Sequence, residues 1–468
     1  MKANPYPSVA KTARTATALS SEPHGQPSKV EEMKGLLFTL SKDAGVSARE
    51  AMLNGIFGVW MPRLDEGGNW KLDSWITRGR SPLIATFADY LTITPGDKVF
   101  FFQDRQIYGI GEVIQHPKAP PRRGAILNYA DADQSTPKAE PTEEQALFSN
   151  VHDWRAIRIV VPFVESPAFF SGGIDMDEVL SSPGSEACWG LKTWQGKSFT
   201  YLGETETELL VQAFLRRYYP RADTLMPKRT GPELTEFISS RYSGVPSMRN
   251  VIRTNPSRYL RSGELKDENC LHALLIEQLV ENDRSFGPAF YREDRGLVFH
   301  EVPASPSKPV VYIDKIDVMA TRKWSEELDF AAHYDILEAK KDKFGGKGKS
   351  FGSEVTQIAK YVDFVARNYA GGNYGAISAY LIAKDFSSEF LGAFVKAKTT
   401  REFTPDVAAF SRSYILNSRE KNATKIWNDL SLLKYEWDET EGRLVLREPV
   451  NIRTNVKAPP EVHQDYIA

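Results

Sequence analysis

Apolar residues along this chain follow two regimes of spacing. Over residues 46–220 they come mostly in short runs of strand length. Gly55–Pro62 (GIFGVWMP), Lys98–Gln103 (KVFFFQ), Gln106–Ile114 (QIYGIGEVI) and Trp154–Phe163 (WRAIRIVVPF) are rich in β-branched and aromatic residues and read as strands. Pro95-Gly96-Asp97 marks a turn, Asp104-Arg105 separates the two arms of a hairpin, and Ser198–Tyr201 is a short further strand. Helical spacing appears at Val30–Leu40, at Ser47–Gly55 and at Glu204–Tyr219, the last opened by glutamates. Residues 117–141, rich in Pro, Ala, Gln and Asp, read as a surface loop.

The second regime starts near Asp267. Asn269–Asn282 is helical and Phe290–Val302 reads as a hairpin turning at Asp294-Arg295-Gly296. Pro309–Ala320 and Ala332–Lys340 are strands, Ser353–Tyr369 a helix, Ala376–Ala383 a buried strand and Ser387–Ala397 another helix. That order predicts an α/β core. Beyond it, Ile415–Asp429 reads as a small basic helix and Tyr435–Arg447 as a hairpin around Glu439–Gly442. The expected organisation is a disordered tail and leading helix over 1–45, a mainly β domain over 46–220, a basic connector over 221–264, the α/β core over 265–400 and an extension over 401–468 with no assigned role.

Composition changes this picture in a few places. The 468 residues suffice for two or three domains, and 59 Lys plus Arg against 61 Asp plus Glu exclude a histone-like polybasic protein. The balance hides an asymmetry. Arg216–Arg261 holds ten basic and three acidic residues, with Tyr218, Tyr219, Tyr242 and Tyr259 interleaved. Basic side chains neutralise phosphates and aromatic rings stack on bases, so this stretch is a candidate nucleic-acid track through Arg249, Arg253 and Arg258. The alternative is a solvated connector balanced by acids elsewhere. Two cysteines, Cys188 and Cys270, stand outside any CxxC or Cys/His cluster, which excludes a zinc finger or disulfide scaffold and points to a reducing, cytoplasmic setting. Residues 1–30 lack the apolar run of a secretory signal, and no stretch approaches the ~20 apolar residues of a membrane helix. The seven histidines form no HxH or HxxxH pair.

The candidate chemistry lies at Glu338 and Lys340. On a strand, Ile336, Glu338 and Lys340 share one face. Asp317 stands between Ile316 and Val318 on the preceding strand, and a lone carboxylate buried there wants a metal or a cation. If the two strands are antiparallel neighbours, Asp317 and Glu338 converge into a hard oxygen site suited to Mg²⁺. Lys340 is then placed to act on the attacking water or to hold a phosphate. Asp314 is a rival acid that alternation turns to the other face. The plain alternative is an exposed Glu–Lys ion pair.

Asp317 followed by Glu338-x-Lys340 resembles the PD-(D/E)xK nucleases of restriction-endonuclease-like fold. Gln357 and Tyr361 on the next helix are similar to the Q-x-x-x-Y helix of the RecB-like branch. The resemblance covers about 265–400. It implies a Mg²⁺-dependent (or Mn²⁺-dependent) phosphodiesterase with Asp317, Glu338, Lys340 and Gln357 catalytic, and with Asp317, Glu338 and Glu277 as metal ligands. Lys347 and Lys349 of Gly345–Lys349 (GGKGK) would meet the DNA backbone. The Gly-Arg often found before the family's aspartate is missing.

The N-terminal half resembles an EVE domain of the PUA-like barrel class, on Pro95–Phe100 (PGDKVF), Tyr108–Val113 (YGIGEV), Gly196–Phe199 and the helix from Glu204. It covers about 50–220. Relatives hold a flipped, modified base in an aromatic pocket, which needs a π-face and edge hydrogen bonds. Trp60, Trp75 and Trp194 are the candidates for that pocket, with Asp104 of the hairpin tip for a base edge or phosphate. Trp70, Trp154 and Trp189 read as core. The pair of resemblances implies a modification-dependent, type IV restriction-like DNA endonuclease of anti-phage defence, possible as a homodimer. A DNA-repair or RNA-processing nuclease, and a non-catalytic modified-nucleic-acid binding protein, remain as alternatives.

Overall fold

Two mixed sheets organise the protein, and their longer strands, β1 apart, trace to the runs above. A computed structural model describes residues 34–40, 47–60, 82–117, 119–127, 158–182, 190–191, 199–218, 223–239, 245–254, 256–282, 293–304, 314–323, 331–345, 351–400, 427 and 429–449. In chain order the strands are β1 (Gly35–Thr39), β2 (Ile56–Trp60), β3 (Lys98–Gln103), β4 (Gln106–Val113), β5 (Ile126–Leu127), β6 (Arg158–Glu165), β7 (Phe169–Phe170), β8 (Ile174–Asp175), β9 (Phe199–Leu202), β10 (Thr224–Leu225), β11 (Leu260–Arg261), β12 (Glu264–Leu265), β13 (Arg295–Pro303), β14 (Lys315–Lys323), β15 (Ala331–Phe344), β16 (Ile377–Phe386), β17 (Leu430–Asp438) and β18 (Arg443–Arg447).

The N-terminal sheet runs β2-β6-β4-β3-β1-β9, with β5 beside β6 and β8 beside β4. The β3–β4 hairpin turns at Asp104-Arg105, whose φ values of 50° and 64° put both residues in the left-handed region that two-residue hairpin turns require. The strands are phenylalanine-rich because both faces of this sheet are covered. Phe38, Phe57, Tyr90, Phe101, Phe163 and Phe199 fill one side, while Phe100, Phe170 and Phe214 fill the other beneath the helix Glu204–Tyr218. β1 corrects the helical reading of Val30–Leu40. Gly35–Thr39 lies between β3, to which it is parallel, and β9. A short apolar run buried on both faces has no alternation, so spacing could not distinguish strand from helix. The N-terminal sheet therefore takes in residues that the sequence placed in a leading segment.

The C-terminal sheet runs β13-β14-β15-β16-β17-β18. β13, β14 and β15 are antiparallel neighbours, β15–β16 and β16–β17 are parallel, and β17–β18 is the expected hairpin. Of the expected hairpin at Phe290–Val302, the described part is one strand, β13, paired with β14. Helices Phe351–Asn368 and Ser388–Thr400 cover one face, where Ile336, Ala379 and Leu381 meet Val355, Ile358 and Val362. Helix Glu268–Glu281 covers the other, where Leu337, Ala339 and Ile382 meet Leu271, Leu274 and Leu275. The alternation of Ile336 with Leu337, and of Leu381 with Ile382, sorts side chains into these two cores.

Helix Glu268–Glu281 is buried from Cys270 through Val280. Its second wall is the helix Pro82–Leu91 of the N-terminal domain, so the two domains share one continuous core. The described part of the expected basic connector, 221–264, is built of short helices and strands. It includes helices Gly231–Ser239 and Met248–Thr254, with Leu234 and Ile238 packed on Ile56 and Val160, and Met248 and Ile252 packed into the shared core. Among the described residues no helix is long and apolar enough to cross a membrane.

Candidate active site

The pairing of β14 with β15 decides whether the sequence-predicted acids meet. Their ladder is antiparallel, with Val318 opposite Leu337 and Met319 opposite Ile336. The paired register ends at Val318–Leu337, and the next residues on the two strands are Asp317 and Glu338. At that point the Asp317 carboxylate enters the ladder itself, its Oδ2 accepting the Ala339 N–H at 2.8 Å. Asp317 is thus fixed at the end of the paired region, one residue from Glu338 across the strand gap.

Glu338 is 2% exposed. Its Oε1 accepts from Lys340 Nζ at 2.8 Å and from Gln357 Nε2 at 3.1 Å. Gln357 also donates to the Tyr361 hydroxyl at 2.7 Å, which fixes the amide from behind. Glu338 Oε2 is buried and has no hydrogen-bond partner among the described residues. A buried carboxylate oxygen left in this way is costly unless a proton or a cation meets it. The sequence-predicted catalytic residues Asp317, Glu338, Lys340 and Gln357 therefore stand together.

Burial and mutual repulsion set the charge state. Burial raises the Glu338 carboxyl to about 8, with the nearby Asp317 charge adding to it and Lys340 only partly opposing. Burial likewise raises Asp317 to about 6, against the pull of Lys340 and the Ala339 N–H. The two titrate as a pair. Burial alone would depress Lys340; the Glu338 and Asp317 carboxylates outweigh it and raise the ammonium above its ordinary value, so Lys340 stays charged. By itself the pair holds a proton at neutral pH, chiefly on Glu338, and a cation between the two acids is what would ionise both.

Glu277 is placed elsewhere. Fully buried, it accepts from Ser247 Oγ at 2.5 Å, from the Met248 and Arg249 N–H groups at 2.7 and 3.1 Å, and from Arg249 Nε at 3.2 Å. Its oxygens are spent on the start of helix Met248–Thr254. The same contacts account for Arg249, which pairs with both Glu277 and Glu281 and so is committed to the interior rather than to a phosphate. Arg253 is exposed near Gly442. Asp104 is exposed at the hairpin turn, and its neighbour Arg105 pairs with Asp177. Trp75, Trp194, Lys347 and Lys349 lie outside the described residues, as do the side chains of Trp60 and Arg258.

Three residues of the site escape the motif. Glu268, in the first turn of its helix, stands with Oε1 3.7 Å from Lys340 Nζ and accepts the Lys341 N–H at 3.3 Å. Glu354, buried one turn before Gln357, raises Glu338 through its charge. His272 is buried on helix Glu268–Glu281, its Nε2 3.6 Å from Asp317 Oδ2. The available signal for His272 was a polar residue inside an otherwise apolar helix. Its polar helix-mates are satisfied: Glu277 as above, and Gln278 by the Leu444 main chain in both directions, at 3.0 and 3.2 Å. Neither ring nitrogen of His272 has a hydrogen bond among the described residues.

Comparison with family models, with curated proteins and with solved structures returns no match. Among the described residues no group of three or more His, Cys, Asp and Glu side chains is arranged to hold a metal ion. What the residues offer is a pair of facing carboxylates, one oxygen of which is unpartnered, beside a charged lysine. That donor set fits a Mg²⁺ ion, which commonly takes one or two carboxylates and completes its shell with water and substrate phosphate oxygens.

Proposed function

We propose that the protein is a Mg²⁺-dependent nuclease of PD-(D/E)xK type, whose C-terminal domain cleaves DNA that the PUA-like N-terminal domain selects for a modified base. The observation that carries the reading is the juxtaposition of Asp317, Glu338 and Lys340 at the end of the β14–β15 ladder, with Glu338 Oε2 left unpartnered. Asp317 and Glu338 would hold the ion. When bound, it supplies Lewis-acid polarisation of a phosphate oxygen and a lowered pKa for an attacking water. Lys340 presents a permanent positive charge beside Glu338, suited to orienting that water or stabilising charge that builds on the phosphate. Gln357, braced by Tyr361, donates to Glu338 Oε1 and so fixes the carboxylate's rotation with Oε2 left unpartnered. The selecting role of the N-terminal half rests on the resemblance of its sequence to EVE domains, with a mixed sheet closed by helix Glu204–Tyr218 as its structural support.

The test is cleavage of DNA carrying methylated, hydroxymethylated or glucosylated cytosine, of unmodified DNA and of structured RNA, each with Mg²⁺ and with chelator. Mg²⁺-dependent cutting of a modified DNA is expected. Lys340→Ala and Asp317→Asn should each lower the rate by about 10²–10³-fold while leaving DNA binding in place. Equal cutting by wild type and both variants, or none by wild type on any substrate, refutes the reading.

A further inference from the structure

Helix Pro82–Leu91 brings a carboxylate of the N-terminal domain to the C-terminal sheet. Asp89 Oδ1 lies 2.8 Å from His300 Nδ1, with the Asp89 side chain 7% exposed and His300 fully buried. His300 sits on β13, and its register partner on β14 is Val318, the neighbour of Asp317. Its ring stands edge-on to that of His272, with centroids 5.6 Å apart and planes at 72°. His272 in turn places Nε2 3.6 Å from Asp317 Oδ2. Beside His300, Glu301 has a φ of 50°, a left-handed backbone at the position facing Asp317, where the ladder passes from His300–Val318 to Val302–Ile316.

We propose that the N-terminal domain positions Asp317 through the buried chain Asp89–His300–His272. The inference rests on the nuclease reading and adds to it: Asp89 and His300 are positioning residues for a metal-binding carboxylate in the other domain. Asp89 fixes the tautomer and rotation of His300, because the Nδ1 proton is the one it accepts. His300 then sets the place of His272. With no hydrogen bond at either nitrogen, the His272 ring is held by packing, between the His300 ring on one side and the Asp317 carboxylate 3.6 Å away on the other. Dense interiors transmit such displacements instead of absorbing them. Partners that orient a metal ligand from outside its own shell commonly carry 10–100-fold in metal affinity or rate.

Asp89→Asn and His300→Phe are compared with Arg123→Ala, which removes a different interdomain bond, Arg123 Nη2 to Glu281 Oε1 at 2.9 Å, on the helix that carries His272. The readouts are Mn²⁺ affinity by electron paramagnetic resonance, kcat and KM on the cleaved DNA, and the ¹⁵N ring resonances of His272. Asp89→Asn and His300→Phe should weaken Mn²⁺ binding and lower kcat about tenfold with KM unchanged, and Asp89→Asn should move the His272 ring signals. Arg123→Ala should do none of this. The chain is overturned if the two variants behave as wild type, or if Arg123→Ala matches them, which would mean general loosening of the interface. A wild type that neither cuts nor binds Mn²⁺ refutes the nuclease reading separately. His272 signals unmoved by Asp89→Asn would still overturn the chain in that case.

Discussion

Asp335 and Glu338 stand on the same strand, β15, and are almost equally buried, at 1% and 2% exposed. At Asp335 the surroundings close. Arg295 Nη1 meets Oδ2 at 2.6 Å, Arg322 Nε reaches the same oxygen at 3.0 Å, and Arg322 Nη2 takes Oδ1. Burial would raise that carboxyl, but Arg322 and Arg295 outweigh it and hold it below the ordinary range. At Glu338 the surroundings stay open. One oxygen is shared by Lys340 and Gln357, the other is unpaired, and burial with the Asp317 charge pushes the group up to about 8. Burial by itself therefore says little about a carboxylate's purpose. What separates a structural acid from a candidate catalytic one is whether its partners account for every lone pair.

The contrast breaks most visibly under substitution. Asp335→Ala leaves two guanidinium groups facing each other in the sheet, and should lower unfolding free energy by about 3–5 kcal/mol in denaturant titration. A loss under 1 kcal/mol would show that the cluster is not a buried ion network.

Glu338→Gln has the opposite sign in metal-free protein. The folded Glu338 value, about 8, lies above the unfolded 4.5, so the folded state binds the extra proton. Its contribution is fully present below about 4.5 and is lost as pH rises through about 8. In chelator, wild-type stability should fall across that window, and the variant should lack the part of the fall above about pH 6, where Asp317 no longer titrates, ending more stable than wild type at pH 9. Added Mg²⁺ should restore wild type alone. Asp335, with its lowered carboxyl, contributes stability above its unfolded value of 3.8 and loses it in acid. A variant with the wild-type slope between pH 5 and 9 would remove Glu338 as the open group.

Glu277→Gln is the smallest of the three and sharpens the distinction within one helix. It should cost about 2 kcal/mol, through weakened charge-assisted bonds to Arg249 and the Met248 N–H, and leave Mn²⁺ affinity unchanged. A large loss of affinity without a loss of stability would return Glu277 to the metal site.

Local pattern was enough for much of this. The turn at Asp104-Arg105, the strands carrying Asp317 and Glu338 and the helix carrying Gln357 follow from alternation, helical spacing and turn chemistry. These depend on residues within a few positions of one another. The shared face of Glu338 and Lys340 follows from the same alternation. Gly35–Thr39 was misread because burial on both faces erases the alternation that would identify a strand. Glu277 was expected at the site because an acid on an apolar helix looks the same whichever neighbour it meets.

Short-range propensity and periodicity identify the strands carrying Asp317 and Glu338 and the helix carrying Gln357, and with them which segments bring an acid, an amine or an amide. Only the tertiary structure decided which buried charges are satisfied. Arg249 closing on Glu277, Arg295 on Asp335 and Asp89 on His300 each join segments that lie far apart in the chain. Their energies depend on the distance and desolvation that packing creates, and no linear spacing encodes either.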